Sequence, residues 1–384
     1  MTSRAYFDWN ATAPLADVAR AAMVATLGAT GNASSVHAEG RAARSLIEKA
    51  RAQVAALVGA EPKNVTFTSG GTEANALALT PALETRSERT PRDKLFVSAI
   101  EHPSVRSGGR FAEFVELPVD ENGRVQLAPL PQLLSGAERP LVSVMLANNE
   151  TGVIQPIAEI AEVVHAANGV LHVDAVQGPG RIACDIETLG ADLMTISAHK
   201  IGGPQGVGAL IRQSAVFGDI HIAMPLIRGG GQERNIRAGT ENVAAIAGFG
   251  AAAAALQNDG SRLAKMRDEI ETELRKITPD IVVFGAQVTR LPNTSLFALP
   301  GAKAETAIIA FDLNGVAVSS GSACSSGKVQ PSHVLAAMGV PPELAKGAIR
   351  LSIGPTTTDN DVGMLLSAWR KIAPGLSKGR GIAA

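Results

Sequence analysis

The chain has 384 residues, of which 46% are hydrophobic and 18% charged, so it can build a large core and global disorder is excluded. Its 35 Lys and Arg residues nearly balance 36 Asp and Glu residues, and the net charge of −1 offers no basic excess for nucleic acid or an anionic membrane. Aromatic residues make up 3%, too few for a base-stacking platform. We therefore expect neither a nucleic-acid nor a membrane partner.

The cysteine usage and the N-terminus both favour a cytoplasmic protein. Cys184 and Cys324 lie far apart in the sequence and form neither a disulfide framework nor a metal-spaced cluster. The first residues lack the apolar region of a signal peptide. The longest uncharged apolar run, residues 243–256, is too short to span a membrane and reads as a packed helix.

The predicted elements divide the chain into a larger and a smaller domain. From about residue 60 to 212, β-branched runs alternate with helical segments, which predicts parallel βαβ units, with one helix over 157–168. A charged helix over 262–277 and short strands near 281, 294 and 316 predict a second unit. We expect a large domain at 13–258 and a small domain from 1–12 and 259–384, which carries a loop at about 319–331. The predicted strands of the large domain are 65–67, 95–98, 141–146, 170–173, 193–196 and 207–211.

Five successive predicted strands end in polar groups, and ligands of parallel sheets bind beyond the carboxyl ends of the strands. After the first strand, the sequence TSGGTEAN joins a glycine pair to a helix start. The amides of Gly71 and Thr72 and the Thr72 hydroxyl could hold a phosphate there. The alternative is an ordinary turn with Thr72 as a cap. The turn is neither a Walker loop nor a dinucleotide fingerprint, since it lacks both glycine patterns.

Two charged residues follow the predicted strands 170–173 and 193–196. Asp174 comes directly after a buried strand, where a carboxylate is costly unless it is paired, for example with a protonated ring nitrogen. Lys200, in SAHK, ends the following strand and could lose its proton to form a Schiff base. A phosphate turn, an aspartate and such a lysine together describe pyridoxal phosphate. The alternatives are a helix-capping aspartate and a surface lysine.

Further polar residues at the same edge are candidates for contacts with such a cofactor. His102, in EHPS, could stack on a ring or move a proton, or simply cap the next helix. Asn149 and Gln177 could bond ring oxygens or satisfy backbone groups. Ser197 and His199 could contact the phosphate or bond within their own turn.

Three features outside these turns also indicate function. Cys324 lies in SSGSACSSGK, where small neighbours predict a mobile loop with an exposed, reactive thiol, whereas Cys184 is predicted to be buried packing. The glycine-rich stretch 228–242 carries three arginines and could reach a phosphate, line an interface or be solvated. Arg350 is a lone cation in an apolar run, which could grip a substrate carboxylate or point to solvent from an edge strand.

Together these motifs resemble the cysteine desulfurases of the NifS/IscS group, which are pyridoxal-phosphate enzymes of the class-V aminotransferase family with fold type I. The resemblance implies an α/β fold, with a mainly parallel seven-stranded sheet covered by helices in the large domain and an α+β small domain. It runs through nearly the whole chain, in the motifs DWNATAP, TSGGTEAN, EHPS, NNETG, HVDAVQ, SAHKIGGPQGVGAL, RAGTEN, SSGSAC and RLSIGP.

The resemblance also implies the reaction and the partners. L-Cysteine becomes L-alanine, and its sulfur becomes a persulfide on Cys324 that passes to an iron–sulfur scaffold or another acceptor protein. A homodimer is implied, in which Thr240 reaches the partner's cofactor. The only metal role it suggests is Cys324 as a transient iron–sulfur cluster ligand. The implied roles are cofactor attachment at Lys200, a ring-nitrogen partner in Asp174, ring stacking and proton transfer by His102, a ring-hydroxyl contact from Gln177, phosphate contacts from Gly71, Thr72, Ser197 and His199, and substrate-carboxylate contacts from Asn149 and Arg350.

Three departures from the group leave the physiological partner open. Trp9 stands where relatives commonly carry a polar residue, and IGGPQG replaces IYGPKG after the lysine. The short tail after Arg370 favours a NifS-like or dedicated paralogue. Three alternatives use the same motifs: a selenocysteine lyase, a non-catalytic sulfur or iron–sulfur binding protein, and an aminotransferase, which would give Cys324 no role.

Overall fold

The structure is a computed structural model that describes residues 4–85, 89–107, 109–257, 259–321 and 331–377. Its strands are β1 (Ala5–Tyr6), β2 (Val65–Thr68), β3 (Leu83–Glu84), β4 (Lys94–Ser98), β5 (Phe114–Leu117), β6 (Pro140–Met145), β7 (Val170–Asp174), β8 (Leu193–Ser197), β9 (Gly208–Arg212), β10 (His221–Ile222), β11 (Val282–Val283), β12 (Thr294–Ala298), β13 (Val316–Ala317), β14 (Ser319–Ser320) and β15 (Ala348–Ser352).

The helices lie mostly between the strands, as the alternating pattern predicts. The α-helices are α1 (Asp17–Leu27), α2 (Ala38–Leu57), α3 (Gly71–Ala78), α4 (Pro103–Arg106), α5 (Leu130–Leu134), α6 (Ile157–Ala166), α7 (Val243–Ala255), α8 (Gly260–Ile277), α9 (Ala304–Leu313), α10 (His333–Ala337), α11 (Pro342–Ala345) and α12 (Asp359–Ser377). Short 3-10 helices cover Pro62–Asn64, Ala198–Lys200 and Gln232–Asn235. Among the described residues, none of these helices is long and apolar enough to cross a lipid bilayer.

The main sheet has seven strands in the order β2-β9-β8-β7-β6-β4-β5. The strands β8, β7, β6, β4 and β5 pair in parallel, whereas β9 runs antiparallel to both β2 and β8. Every residue of β6, β7 and β8 is buried, as expected for parallel strands covered on both faces. This mainly parallel sheet confirms the predicted α/β fold. It also brings the carboxyl ends of β2, β4, β6, β7 and β8 to one edge.

The C-terminal part of the chain forms a second, smaller sheet with the order β11-β12-β15-β14, whose pairs are all antiparallel. Its core contains Trp369, whose ring stacks on Phe311 at 5.9 Å between centroids and meets Phe297 edge-on at 5.4 Å. Ala5 and Phe7, from the N-terminus, are buried in the same core.

The division of the chain into residues 13–258 and two flanking segments stays a prediction. The short helix α10 lies in the second of those segments. Its residues Val334 and Leu335 are nevertheless buried in the core beneath the main sheet. This helix therefore ties the C-terminal part of the chain to the larger sheet.

Candidate active site

A cavity of about 350 Å³ opens at the edge of the main sheet where the five strand ends meet. Its volume lies in the range of small-molecule sites. Arg350 and Thr240 are absent from its lining. The predicted site residues that do line it are Gly71, Thr72, His102, Asn149, Asp174, Gln177, Ser197, His199 and Lys200.

The glycine pair after β2 forms a tight turn into α3. The close approach of β9 shapes this turn, because a Cβ on Gly208 would lie 2.6 Å from the carbonyl carbon of Gly70. A Cβ on Gly71 would come within 3.1 Å of a Val176 methyl group, so glycine keeps this wall of the cavity open. Gly71 and Thr72, the first two residues of α3, therefore line the cavity at the helix end whose first amides have no partner within the helix itself.

Asp174, the last residue of β7, is buried at the cavity wall. Its Oδ2 accepts a 2.8 Å hydrogen bond from Asn75 Nδ2, and its Oδ1 accepts one of 3.1 Å from the Val176 amide. Asn75 also donates to Ser104 Oγ at 2.9 Å, and Ser104 Oγ lies 2.8 Å from His102 Nδ1. A chain of hydrogen bonds therefore joins the carboxylate to the histidine.

His102 is the N-cap of α4, and its Nδ1 accepts a 3.1 Å hydrogen bond from the Ser104 amide. Since an accepting Nδ1 carries no proton, the neutral ring holds its proton on Nε2. Burial lowers the pKa of His102, which the charge of Asp174 partly opposes. Burial also lowers the pKa of His199 to about 4, and the charge of Lys200 acts in the same direction. Both imidazoles are thus neutral near pH 7.

Lys200 ends the 3-10 helix after β8, and backbone carbonyls from the N-terminal segment hold its amine. Nζ donates to the Asn10 carbonyl at 2.5 Å and to the Ala11 carbonyl at 2.9 Å. Gln177 Nε2 donates to the same Asn10 carbonyl at 3.0 Å. The Asn10 side chain in turn donates to the Asn149 carbonyl at 3.1 Å. The N-terminal segment therefore closes one side of the cavity, although the sequence singled out only its motif.

Trp9 belongs to this segment and is absent from the lining of the 350 Å³ cavity. Trp9 lines a second cavity of about 340 Å³, which Lys200 also borders. It is buried, with its ring so close to Gly354 that a Cβ there would lie 2.2 Å from the ring. The aromatic residue at this position is therefore a packing residue between the N-terminal segment and the loop after β15.

Arg350 stands on β15, between β12 and β14, with 1% of its surface exposed. The alternative of a solvent-facing residue on an edge strand is therefore wrong. Its Nη1 donates to the Asn149 carbonyl at 3.0 Å, and its Nη2 pairs with Asp8 Oδ1 at 2.7 Å. Its buried Nε has no hydrogen-bond partner among the described residues.

The structure describes one of the two cysteines. Cys184 is buried, and burial raises the pKa of its thiol to about 12, which confirms its predicted packing role. Cys324 lies outside the described residues. Within the described residues, no three His, Cys, Asp or Glu side chains are grouped to hold a metal ion.

Two buried carboxyl groups beside the predicted residues were missed by sequence reasoning. Glu101 accepts hydrogen bonds from Ser98 Oγ at 2.5 Å and from the Met145 amide at 2.6 Å, and burial raises its pKa to about 8. Glu150 Oε2 accepts from Ser332 Oγ at 2.6 Å, and burial raises its pKa to about 7. In the sequence, Glu101 directly precedes His102 and Glu150 directly follows Asn149. This adjacency to a predicted site residue was the one signal that could have indicated the two carboxyl groups.

Comparison with known proteins agrees with this geometry. The model of the aminotransferase class-V family matches residues 5–365. Cysteine desulfurase IscS of Dictyoglomus turgidum is 41% identical, with 97% of this chain and 95% of the relative covered. Cysteine desulfurase NifS of Azotobacter vinelandii is 35% identical, with 96% and 92% covered. A NifS-like protein from Rickettsia africae has a solved structure that is 38% identical, with 97% and 99% covered and a TM-score of 0.85.

These matches define the class first: the chain belongs to the class-V aminotransferase family, whose members depend on pyridoxal 5′-phosphate. Its fold is accordingly the pyridoxal-phosphate fold type I that the resemblance implied. Within the family, the chain groups with the cysteine desulfurases of the NifS/IscS type.

Proposed function

We propose that the protein is an L-cysteine desulfurase that releases L-alanine and keeps the sulfur as a persulfide on Cys324. The reaction balances without an external oxidant, because the substrate sulfur moves to the thiol, forming an S–S bond, while the carbon that loses it gains a proton. The main support is the geometry of one cavity, which brings the amine of Lys200 and the carboxylate of Asp174 together beside the glycine turn.

The cavity has the donor and acceptor groups that pyridoxal phosphate requires. Asp174 is buried, and both of its hydrogen bonds described above come from uncharged donors, which suits a carboxylate that pairs with a protonated ring nitrogen. Thr72, Ser197 and His199 line the same cavity with the N-terminus of α3, where a phosphate would be held. When bound, the cofactor supplies an electron sink for the pair of electrons left when the substrate Cα loses its proton.

The chain's own residues would position the reacting groups around that cofactor. Lys200 would attach it, since the carbonyls of Asn10 and Ala11 already hold its amine at the cavity. Gln177 would contact the ring hydroxyl. His102, neutral and with Nε2 carrying the proton, would cover the ring and exchange protons with the substrate.

Asn149 and Arg350 would hold the substrate carboxylate. The guanidinium is buried, with one face bonded to Asp8 and to the Asn149 backbone. Its Nε lacks a partner among the described residues and leaves a donor available for a carboxylate. The held guanidinium would fix the orientation of the substrate before the sulfur moves.

We further propose a homodimer that acts in the cytoplasm and passes its sulfur to an iron–sulfur scaffold or another acceptor protein. Thr240 is exposed and does not line this chain's own cavity, which supports a contact with a partner's cofactor. Met224, Leu226 and Ile227, in the segment just before it, are also exposed, as expected for residues that a second copy covers.

The proposal is tested by incubating the purified protein with L-cysteine and a thiol reductant, which releases the persulfide sulfur as sulfide, and by measuring L-alanine and sulfide. We expect equal amounts of both from the wild type and no alanine from Lys200→Ala. Lys346→Ala is a matched control, because Lys346 forms an exposed pair with Glu343 away from the cavity. Equal turnover in Lys200→Ala and the control would contradict the proposal. Turnover of L-cysteine and of L-selenocysteine by Cys324→Ala distinguishes the alternative of a selenocysteine lyase. Such a lyase would not need the Cys324 thiol, so the variant would still turn over L-selenocysteine.

A further inference from the structure

Glu73 occupies a position that conflicts with a phosphate site. It lies in the first turn of α3, one residue after Thr72, at the helix end where the phosphate would be held. A carboxylate there is favoured by the helix dipole, but it repels a phosphate dianion bound at the same end. A bound phosphate would therefore require the charge of Glu73 to be neutralised.

Arg237, from the loop 228–242, supplies this neutralisation. Its Nε lies 2.9 Å and its Nη2 3.4 Å from the two carboxylate oxygens of Glu73. The carboxylate also accepts a 2.8 Å hydrogen bond from the Ser69 amide, which ties it to the turn before the helix. Both side chains are largely shielded from water, at 11% exposure for Glu73 and 22% for Arg237. Burial alone would raise the pKa of Glu73, but the bonds from Arg237 and Ser69 outweigh it and lower the pKa.

The loop that carries Arg237 is held in place independently of Glu73. Three consecutive residues, Glu233, Arg234 and Asn235, adopt left-handed backbone angles with φ of 45°, 56° and 65°. A buried ion pair fixes this strained turn, since Glu233 receives bonds of 2.7 and 2.9 Å from Arg51 and one of 3.0 Å from the Phe67 amide. Removing Glu73 should therefore leave Arg237 and its loop in position.

We propose that Arg237 is a positioning residue for the cofactor phosphate, which it serves by neutralising Glu73 and fixing it against the Ser69–Thr72 turn. With the charge of Glu73 neutralised, no carboxylate opposes the attraction between the positive end of the helix dipole and the phosphate. The loop 228–242 thereby has a role in this chain's own site, beyond the contact with the partner proposed for Thr240. This inference rests on the pyridoxal-phosphate site of the proposed function.

The test is a double-mutant cycle read out as the dissociation constant of pyridoxal phosphate, measured by equilibrium dialysis against the cofactor-free full-length protein. Arg237→Gln leaves the carboxylate uncompensated, and we expect binding to weaken at least tenfold. Glu73→Gln keeps an acceptor for the Ser69 amide, and we expect a change of no more than about threefold. The double variant should recover most of the loss in Arg237→Gln. A double variant that binds as weakly as Arg237→Gln would overturn the proposal.

Pyridoxal, which lacks the phosphate, separates this electrostatic role from a general loss of structure. We expect Arg237→Gln to bind pyridoxal as the wild type does, and equal weakening for pyridoxal and its phosphate would overturn the proposal. Should Arg237→Gln fail to fold, Arg237→Lys keeps the charge, and it should bind the phosphate within a few-fold of the wild type. A larger loss in Arg237→Lys would also count against the proposal.

The buried pair Arg290–Glu271, at 2.8 Å and remote from the cavity, provides the control cycle, in which the cofactor affinity should not change. A wild type that fails to bind pyridoxal phosphate would refute the proposed function. A wild type that binds it, but whose double variant shows no rescue, would refute this inference alone.

Discussion

The buried carboxyl of Glu101 gives a prediction whose magnitude follows from the structure. Its side chain is fully buried, its Oε2 has no hydrogen-bond partner among the described residues, and burial raises its pKa from 4.5 to about 8. Glu101→Gln keeps the shape of the side chain and an oxygen for the bonds from Ser98 and Met145. The variant cannot ionise, so it removes the pH dependence that this group adds to stability.

The sign follows from proton binding. Between pH 4.5 and 8 the folded protein keeps the proton on Glu101, whereas the unfolded chain loses it. The free energy of unfolding of the wild type therefore falls as the pH rises through this range, by about 1.4 kcal/mol per pH unit from this group. From pH 5 to pH 7 the expected loss is about 2.5 kcal/mol, on the same relation. Glu101→Gln should lack this contribution to the loss.

Urea unfolding at pH 5, 6 and 7, followed by circular dichroism, measures the effect. We expect Glu101→Gln to match the wild type within about 1 kcal/mol at pH 5 and to become more stable than the wild type by about 2.5 kcal/mol at pH 7. Glu138→Gln is the control, because its side chain is 81% exposed and its effect should be the same at each pH. A difference between Glu101→Gln and the wild type that stays constant from pH 5 to pH 7, or that falls, would refute the reasoning.

Three further predictions concern buried positions around the main sheet. Asn75→Ala removes the 2.8 Å partner of the buried Asp174 carboxylate, so the free energy of unfolding should fall by about 1–3 kcal/mol; unchanged stability in urea would contradict this. Gly208→Ala places a Cβ against the turn before α3 and should weaken pyridoxal-phosphate binding at least tenfold, whereas Gly363→Ala, with open space around its Cβ, should not. Cys184 should resist iodoacetamide at pH 8 in the folded protein, because burial raises the pKa of its thiol to about 12; its alkylation, detected by mass spectrometry, would refute this packing role.

The sequence predicted the strands of the main sheet closely because their side chains are buried on both faces. The run at 170–173 appears as β7 over Val170–Asp174, and the run at 193–196 appears as β8 over Leu193–Ser197. The short pair of β3 and β10 escaped prediction, since two residues carry no usable periodicity. The edge strand β5 escaped because it is only partly buried.

The residues grouped at the cavity could be predicted because parallel strands end at one edge of a sheet. Contacts between residues that are far apart in the sequence could not be predicted. Asn10 reaches Lys200 from 190 positions away, and Ser332 reaches Glu150 from 182 positions away. Local pattern holds no information on such pairs, so the closing role of the N-terminal segment and the bond between Ser332 and Glu150 emerge only in three dimensions. Asn75 is an intermediate case, since it lies one helical turn after Gly71 and so faces the same cavity.

The central claim is that the sulfur of L-cysteine moves to Cys324, and one comparison of variants tests it. Wild type, Cys324→Ala and the matched control Cys184→Ala are incubated with L-cysteine, after which bound persulfide is measured by mass spectrometry and L-alanine by its rate of release. We expect persulfide in the wild type and in Cys184→Ala. In Cys324→Ala we expect no persulfide and an alanine rate reduced at least a hundredfold. Persulfide and alanine formed by Cys324→Ala at the wild-type rate would contradict the claim.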